Sequence, residues 1–188
     1  AGMVEEYLTG KYGEANAVPP YVASLFYACD RYDASFKIKR WLKAGDMVIA
    51  DRYITANLGH QGGKLIKDRG AWESFIDWDR AIEYGILGIP KPDKSFILKS
   101  DPAISKKLLL GKAVDAAKAK KRKSYLKGKK RDMHERDKEH LVNALESFMM
   151  LSKKFPKDFA VIPCIEEGAM LRPDIIHERI WTALKKLL

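Results

Sequence analysis

The chain has 188 residues, a formal net charge of +10, 46% hydrophobic residues and two cysteines. That length is most simply one domain with a full core, and Cys29 and Cys164 are too far apart and too isolated for a disulfide framework or a zinc site. No run approaches the ~18 apolar residues a membrane helix needs, and AGMVEEYLTG has neither the basic start nor the apolar core of a signal peptide; a soluble, cytoplasmic protein with affinity for anions is expected.

In chain order, residues recur at helical spacing from Val18 to Ala44, through Tyr21, Leu25, Ala28, Tyr32, Ser35-Phe36, Ile38 and Leu42, with Pro19-Pro20 placed to open the helix and Gly45 to end it. Met47-Val48-Ile49-Ala50 is a short continuous apolar run that fits a strand buried on both faces. A helix from about Trp72 to Tyr84 leads through Gly85 and the turn signals of Ile89-Pro90-Lys91-Pro92-Asp93 to a second strand at Ser95–Leu98. Asp101-Pro102 opens another helix. Asp132–Lys154 is helical with a stripe of Leu141, Leu145, Phe148 and Leu151, and Phe155-Pro156 stops it. Phe159–Ile162 gives a third strand, and Pro173-Asp174 opens a last helix with Ile176, Ile180, Leu184 and Leu187 on its buried side. Helices alternating with strands predict an α/β fold with a mostly parallel sheet covered on both faces.

Ligands of such sheets bind beyond the carboxyl ends of the strands. Asp51 and Arg52 end the first predicted strand, and the Gly-rich stretch after them, GHQGGK, lets backbone approach something closely. An acid there can hold the hydration shell of Mg²⁺ and the adjacent Arg can offer a planar fork to phosphate; the same pair can equally satisfy helix ends or each other. Gly63-Lys64 does not make a phosphate-binding P-loop, because Gly59 is one residue too close and Leu65 follows where Ser or Thr is needed.

Three stretches together resemble the thymidylate kinases. LFYACDRYDAS resembles that family's aromatic residue followed four positions later by Arg, here Tyr27 and Arg31. VIADRYITANLGHQGGK resembles its Asp-Arg-Tyr strand end and aromatic-Gln-Gly turn. YGILGIPKPDKSFIL with the downstream KGKKRDMHERDKEHL resembles its Pro-Asp approach to a strand and its basic lid before a long helix. The resemblance implies a three-layer α/β/α fold of the P-loop NTPase, nucleoside monophosphate kinase type, with residues 1–188 as a single domain and residues 112–132 as a lid. It implies ATP-dependent, Mg²⁺-requiring phosphorylation of dTMP to dTDP. Tyr27 would stack on thymine, Arg31 and Gln61 would bond its edge, Tyr53 and Asn57 would line the acceptor site, Arg52 would grip the acceptor phosphate, and Asp51 would act through Mg²⁺, by way of water. Arg122, Lys129, Lys130 and Arg131 would close over ATP, with Arg122 and Arg131 in the catalytic set beside Asp51 and Arg52. A homodimer through the helix from Val18 is implied as in the family.

Ala56, His60 and Lys64 depart from the family's more usual Ser, Tyr and Arg, and Tyr27 stands where Phe is frequent. No GxxxxGK[ST] pattern occurs in the chain, so an N-terminally truncated domain without its first strand and P-loop is expected. The other readings are a nucleotide-binding remnant without catalysis and a basic nucleic-acid-binding protein using Lys118–Arg131, where nine of fourteen residues are Lys or Arg. That run lacks the interleaved aromatics of a single-strand platform, so nucleic acid is not the expected partner.

Overall fold

The computed structural model describes residues 2–14, 17–101, 103–104 and 138–187. These fall into two units, one drawn from residues 1–91 and 115–147, the other from residues 92–114 and 148–188.

In the first unit, α1 (Gly2–Leu8) packs through Val4, Tyr7 and Leu8 on the start of α2 (Pro20–Lys43). The ends of α2 are those its sequence announces. Pro20 supplies the first helical residue, where its missing N–H costs nothing, and Gly45 leaves the helix at φ 86. Its buried face matches the predicted stripe only in part, at Ala28 and Ser35. Ser24, Ala28 and Ser35 are buried while Leu25, Tyr32, Phe36 and Leu42 are exposed. The small side chains make room for Arg31 between them, and a charge taken inside needs that room for its partner.

The predicted strand at 47–50 does not form. Residues 46–50 have no sheet partner among the described residues, and Met47 and Ile49 are 58% and 83% exposed. An extended run without a neighbour has no ladder to join, so its apolar character does not make it a strand. The chain then bends at Asp51-Arg52 into α3 (Ile54–Gly62) and a 3₁₀ turn (Gly63–Leu65). The Gly-rich stretch is therefore helical, not a turn around a ligand. What it approaches closely is α5 (Lys138–Lys154). A Cβ on Gly63 would stand 2.8 Å from the Ala144 nitrogen, and one on Gly62 would stand 2.8 Å from Ser147 Oγ. The Trp72 indole donates to Ser147 Oγ at 2.8 Å, and that hydroxyl donates to the Leu58 carbonyl at 3.1 Å, so the contact is both close and fully bonded.

Between them, α4 (Arg69–Arg80) starts where the Asp68 carboxylate accepts from the Ala71 amide at 3.0 Å, the expected capping chemistry. It buries Trp72, Phe75, Ile76 and Asp79 on one face. Instead of ending near Tyr84 it widens into a π-helical segment, Ala81–Ile86, that carries Glu83.

In the second unit, β1 (Ser95–Lys99) and β2 (Phe159–Pro163) pair in parallel, Ser95 opposite Phe159 through Lys99 opposite Pro163. Both were legible as strands, and their parallel sense follows from the helical crossover pattern. Asp101 accepts from the Ala103 and Ile104 amides at 2.7 and 3.1 Å, the start of the helix expected there. A short hairpin, β3 (Ile165–Glu166) and β4 (Ala169–Met170), turns on Glu167 and Gly168, both left-handed. The last helix, α6 (Pro173–Leu184), opens at Pro173 as expected, but none of its residues is fully buried and Leu187 beyond it is exposed.

Gly63→Ala should lower stability by about 1–3 kcal/mol, because backbone stands where its methyl would go. Gly85→Ala, with nothing within 4 Å, should be neutral or slightly stabilising. Urea unfolding of the two variants checks the contrast, and an unchanged midpoint for Gly63→Ala would remove the glycine from the packing argument.

Candidate functional site

Helices α2, α3 and α4 with its π extension bring a polar cluster together inside the first unit. Arg31 donates through Nε and Nη2 to the two Glu83 oxygens, both at 2.6 Å, a bidentate pair in which the Glu83 side chain has no exposure and that of Arg31 has 13%. Asn57 donates from Nδ2 to Asp79 Oδ1 at 3.0 Å and to Glu83 Oε1 at 3.4 Å. Tyr53 caps the other side, its hydroxyl donating to the Pro90 carbonyl at 3.0 Å; burial pushes that hydroxyl up to about 12.

Asp79 and Glu83 lie four residues apart, and two carboxylates so close inside a protein do not both ionise readily. Burial first, then the Glu83 charge, raise the Asp79 carboxyl well above the ordinary range, while Arg31 pulls the other way. Asp79 Oδ2 has no donor among the described residues, which a proton on that oxygen, shared with Glu83, resolves.

Two buried acceptors stand out on α3. Asn57 Oδ1 and Gln61 Oε1, one helical turn apart on α3, have no donor among the described residues although their residues are only 4% and 1% exposed. Such orphans are costly unless something else supplies the donor. Next to Gln61, the His60 ring stacks on His140 with centroids 5.5 Å apart and planes at 11°. Burial, with Arg52 and His140 adding to it, lowers His60 to about 3, so it is neutral at physiological pH.

At the amino end of α3, Asp51 and Arg52 are exposed, and Arg52 holds φ 66, a left-handed conformation that non-glycine residues avoid. Tyr53 follows in extended backbone at the residue just before α3, with no side-chain bond to the helix end. Tyr27 is half-buried, packed against the α1–α2 cluster with the Tyr7 ring edge-on at 6.0 Å. Lys64 donates to the Val18 carbonyl at 2.8 Å and to the Tyr7 hydroxyl at 3.3 Å, and burial lowers it to about 8.

The model of the thymidylate kinase family matches residues 1–162. The chain belongs to the thymidylate kinase family. It is 30% identical over 139 residues to the thymidylate kinases of two Mycobacterium tuberculosis strains, CDC 1551 / Oshkosh and H37Rv, covering 74% of this chain and 59% of each of theirs. It is 29% identical over 93 residues to a probable thymidylate kinase of Pyrobaculum aerophilum, covering 49% of this chain and 43% of that protein. The chain thus spans about three-fifths of the length of the mycobacterial kinases it matches.

Within this family chain, the residues named from the sequence divide into groups. Arg31, Tyr53, Asn57 and Gln61 converge or lie on converging helices, Asp51 and Arg52 stand at the head of α3, and Tyr27 borders the first core. Arg122, Lys129, Lys130 and Arg131, and the lid as a whole, lie outside the described residues. Sequence reasoning passed over Asp79 and Glu83. The available signal was two acids one turn apart on the face that also carries Trp72, Phe75 and Ile76.

The titrations of Asp79 and His60 have opposite signs. Above 3.8 the unfolded chain has lost a proton that folded Asp79 keeps, so this burial costs more stability as pH rises through neutrality. Between about 3 and 6.5 the unfolded chain takes a proton that folded His60 refuses, so the His60 contribution is present above 6.5 and is lost as pH falls. Asp79→Asn should therefore gain stability relative to the parent between about pH 5 and about pH 8, and His60→Gln should gain relative to it on acidification. Thermal unfolding across that range decides the matter; a pH-independent difference for either variant would mean that its side chain titrates normally in the fold.

Proposed function

We propose that this chain carries the acceptor side of a thymidylate kinase, in which the γ-phosphoryl group of ATP passes to dTMP to give dTDP for deoxynucleotide synthesis. The family membership supports the reaction class. The observation that carries the acceptor assignment is Arg52, exposed, in a left-handed backbone, immediately before the amino end of α3, which has no side-chain capping bond. Strained backbone at a charged residue is kept where it aims a side chain, and backbone N–H groups at a helix start attract the same anion that a guanidinium fork grips.

Phosphoryl transfer asks mainly for alignment and for positive charge around the moving group, so no nucleophilic side chain is required. In this reading Arg52 holds the dTMP phosphate. Tyr27, half-buried beside α1, offers its ring face to thymine, while Arg31, Tyr53, Asn57 and Gln61 meet the nucleoside. Asp51 is a lone exposed carboxylate beside Arg52, a donor set that suits Mg²⁺, which keeps several waters and takes other ligands from phosphates. The ion, when bound, neutralises charge on the transferring phosphates. Arg122, Lys129, Lys130 and Arg131 belong to the lid over ATP in the same reading, and excluding water there would limit wasteful hydrolysis.

The three-layer α/β/α arrangement, cytoplasmic location and a homodimer belong to this proposal too. The dimer is supported by Leu25, Tyr32 and Phe36, which α2 leaves exposed.

Calorimetric titration of the chain with dTMP, dUMP, dCMP and Mg²⁺-ATP tests the reading: the monophosphates do not need the GxxxxGK[ST] loop that holds the donor phosphates, so dTMP binding with little ATP binding is expected from a chain in which that pattern does not occur. Preferential binding of dTMP is expected, and failure to bind any monophosphate overturns it. Arg52→Gly should relax the left-handed backbone, adding up to ~1 kcal/mol of stability, while weakening dTMP at least about tenfold, as loss of a charged hydrogen bond does. Unchanged dTMP affinity in that variant would take the phosphate away from Arg52.

A further inference from the structure

The polar cluster spends two buried carboxylates on arrangements that no phosphate or metal contact explains. Asp79 and Glu83 make their bonds to Arg31 and Asn57. With the Asp79 proton on Oδ2, Asp79 Oδ1 and Glu83 Oε1 can only accept, so the Asn57 amide turns its NH₂ toward the acids, which fixes its Oδ1 on the opposite side as an acceptor. That oxygen is buried and has no donor among the described residues, and Gln61 Oε1, one turn further along α3, is in the same condition. Arg31, clamped through Nε and Nη2, keeps Nη1 uncommitted among the described residues and cannot rotate without breaking two short charge-assisted bonds. Glu83 reaches this position from a π-helical segment, a costly distortion that occurs mostly where a side chain must be aimed.

We propose that Asp79 and Glu83 are positioning residues that set the base preference of the site, by fixing Arg31 as a donor and Asn57 as an acceptor toward a pyrimidine ring. Arg31 and Asn57 both bond Glu83 Oε1, and a donor from the one with an acceptor from the other suits the 2,4-dione face of thymine or uracil, which offers a C4 carbonyl next to an N3–H. Cytosine presents the reverse, an acceptor at N3 and an amine at C4, and would leave both protein groups facing their own kind. The inference rests on the acceptor-site reading above and adds to it the groups that enforce its selectivity.

Glu83→Gln keeps the side-chain shape but weakens the hold on Arg31 and supplies an NH₂ that lets the Asn57 amide turn over. Asp79→Asn is also isosteric and opens the same rotation from the other acid. The preference for dTMP over dCMP, measured by calorimetry on the 188-residue chain, should fall about tenfold in Glu83→Gln and detectably in Asp79→Asn, the size expected for a lost charged hydrogen bond. Far-UV dichroism identifies folded variants. A purely structural role would lower the competent fraction equally for both nucleotides and leave their ratio alone. An unchanged ratio in a folded variant overturns the proposal while leaving the function intact; a parent chain that does not prefer dTMP overturns the function instead. The parent provides a further measurement independent of substitution: N3-methyl-dTMP, which lacks the N3–H, should bind at least about tenfold more weakly than dTMP. Equal binding would mean that no buried acceptor meets that edge.

Discussion

A guanidinium and a carboxylate taken out of water together constrain everything around them. Glu83 has no exposed side-chain surface, so its charge is tolerated only because Arg31 meets it with two parallel bonds. Removing either partner of such a pair costs about 3–5 kcal/mol, since the other is left buried and uncompensated. To bring the two together, α2 must present a face of small residues, Ser24, Ala28 and Ser35, and the chain after α4 must widen into a π turn. Asp79, one turn earlier, is then forced to keep its proton, and Asn57 is forced to turn its NH₂ inward. A choice at one ion pair thereby propagates through three helices.

That constraint also explains which features were legible in the sequence. Helix ends were, because Pro20, Gly45 and Pro173 act through their own backbone chemistry. The parallel pair at Ser95–Lys99 and Phe159–Pro163 was, because short apolar runs between helices have few other uses. The buried face of α2 was legible only at Ala28 and Ser35. Apolar periodicity finds the buried side of a helix only when the core is apolar, and here the inward side is small and charged, so Leu25, Tyr32 and Phe36 point outward. The run at 47–50 failed for a related reason, since strand character is completed by a neighbour that local sequence does not contain.

The candidate site was legible through the family's spacing more than through local chemistry. Arg31, Asn57 and Gln61 were marked by their positions, but nothing local said that Glu83, 52 residues beyond Arg31, and Asp79, 22 residues beyond Asn57, would decide how those two are held. Asp79 and Glu83 read as ordinary helix-surface acids until Trp72, Phe75 and Ile76 are seen to put their face inside.

The short helix α3 is where these demands meet. At about 1.5 Å per residue its nine residues extend only ~14 Å, yet its head is the strained Arg52, its middle faces the acids through Asn57, and its tail is the Gly62-Gly63 contact with α5. A helix of that length is marginal by itself, so its position depends on packing. The glycines and the Trp72–Ser147–Leu58 bonds hold the tail, and the buried amide holds the middle. Asp51 and Arg52, just before the helix, are left exposed, and the Arg52 backbone is under strain. Under the proposed function that is the end meeting the phosphate, and the rigidity behind it keeps the base-reading groups in register with the phosphate grip.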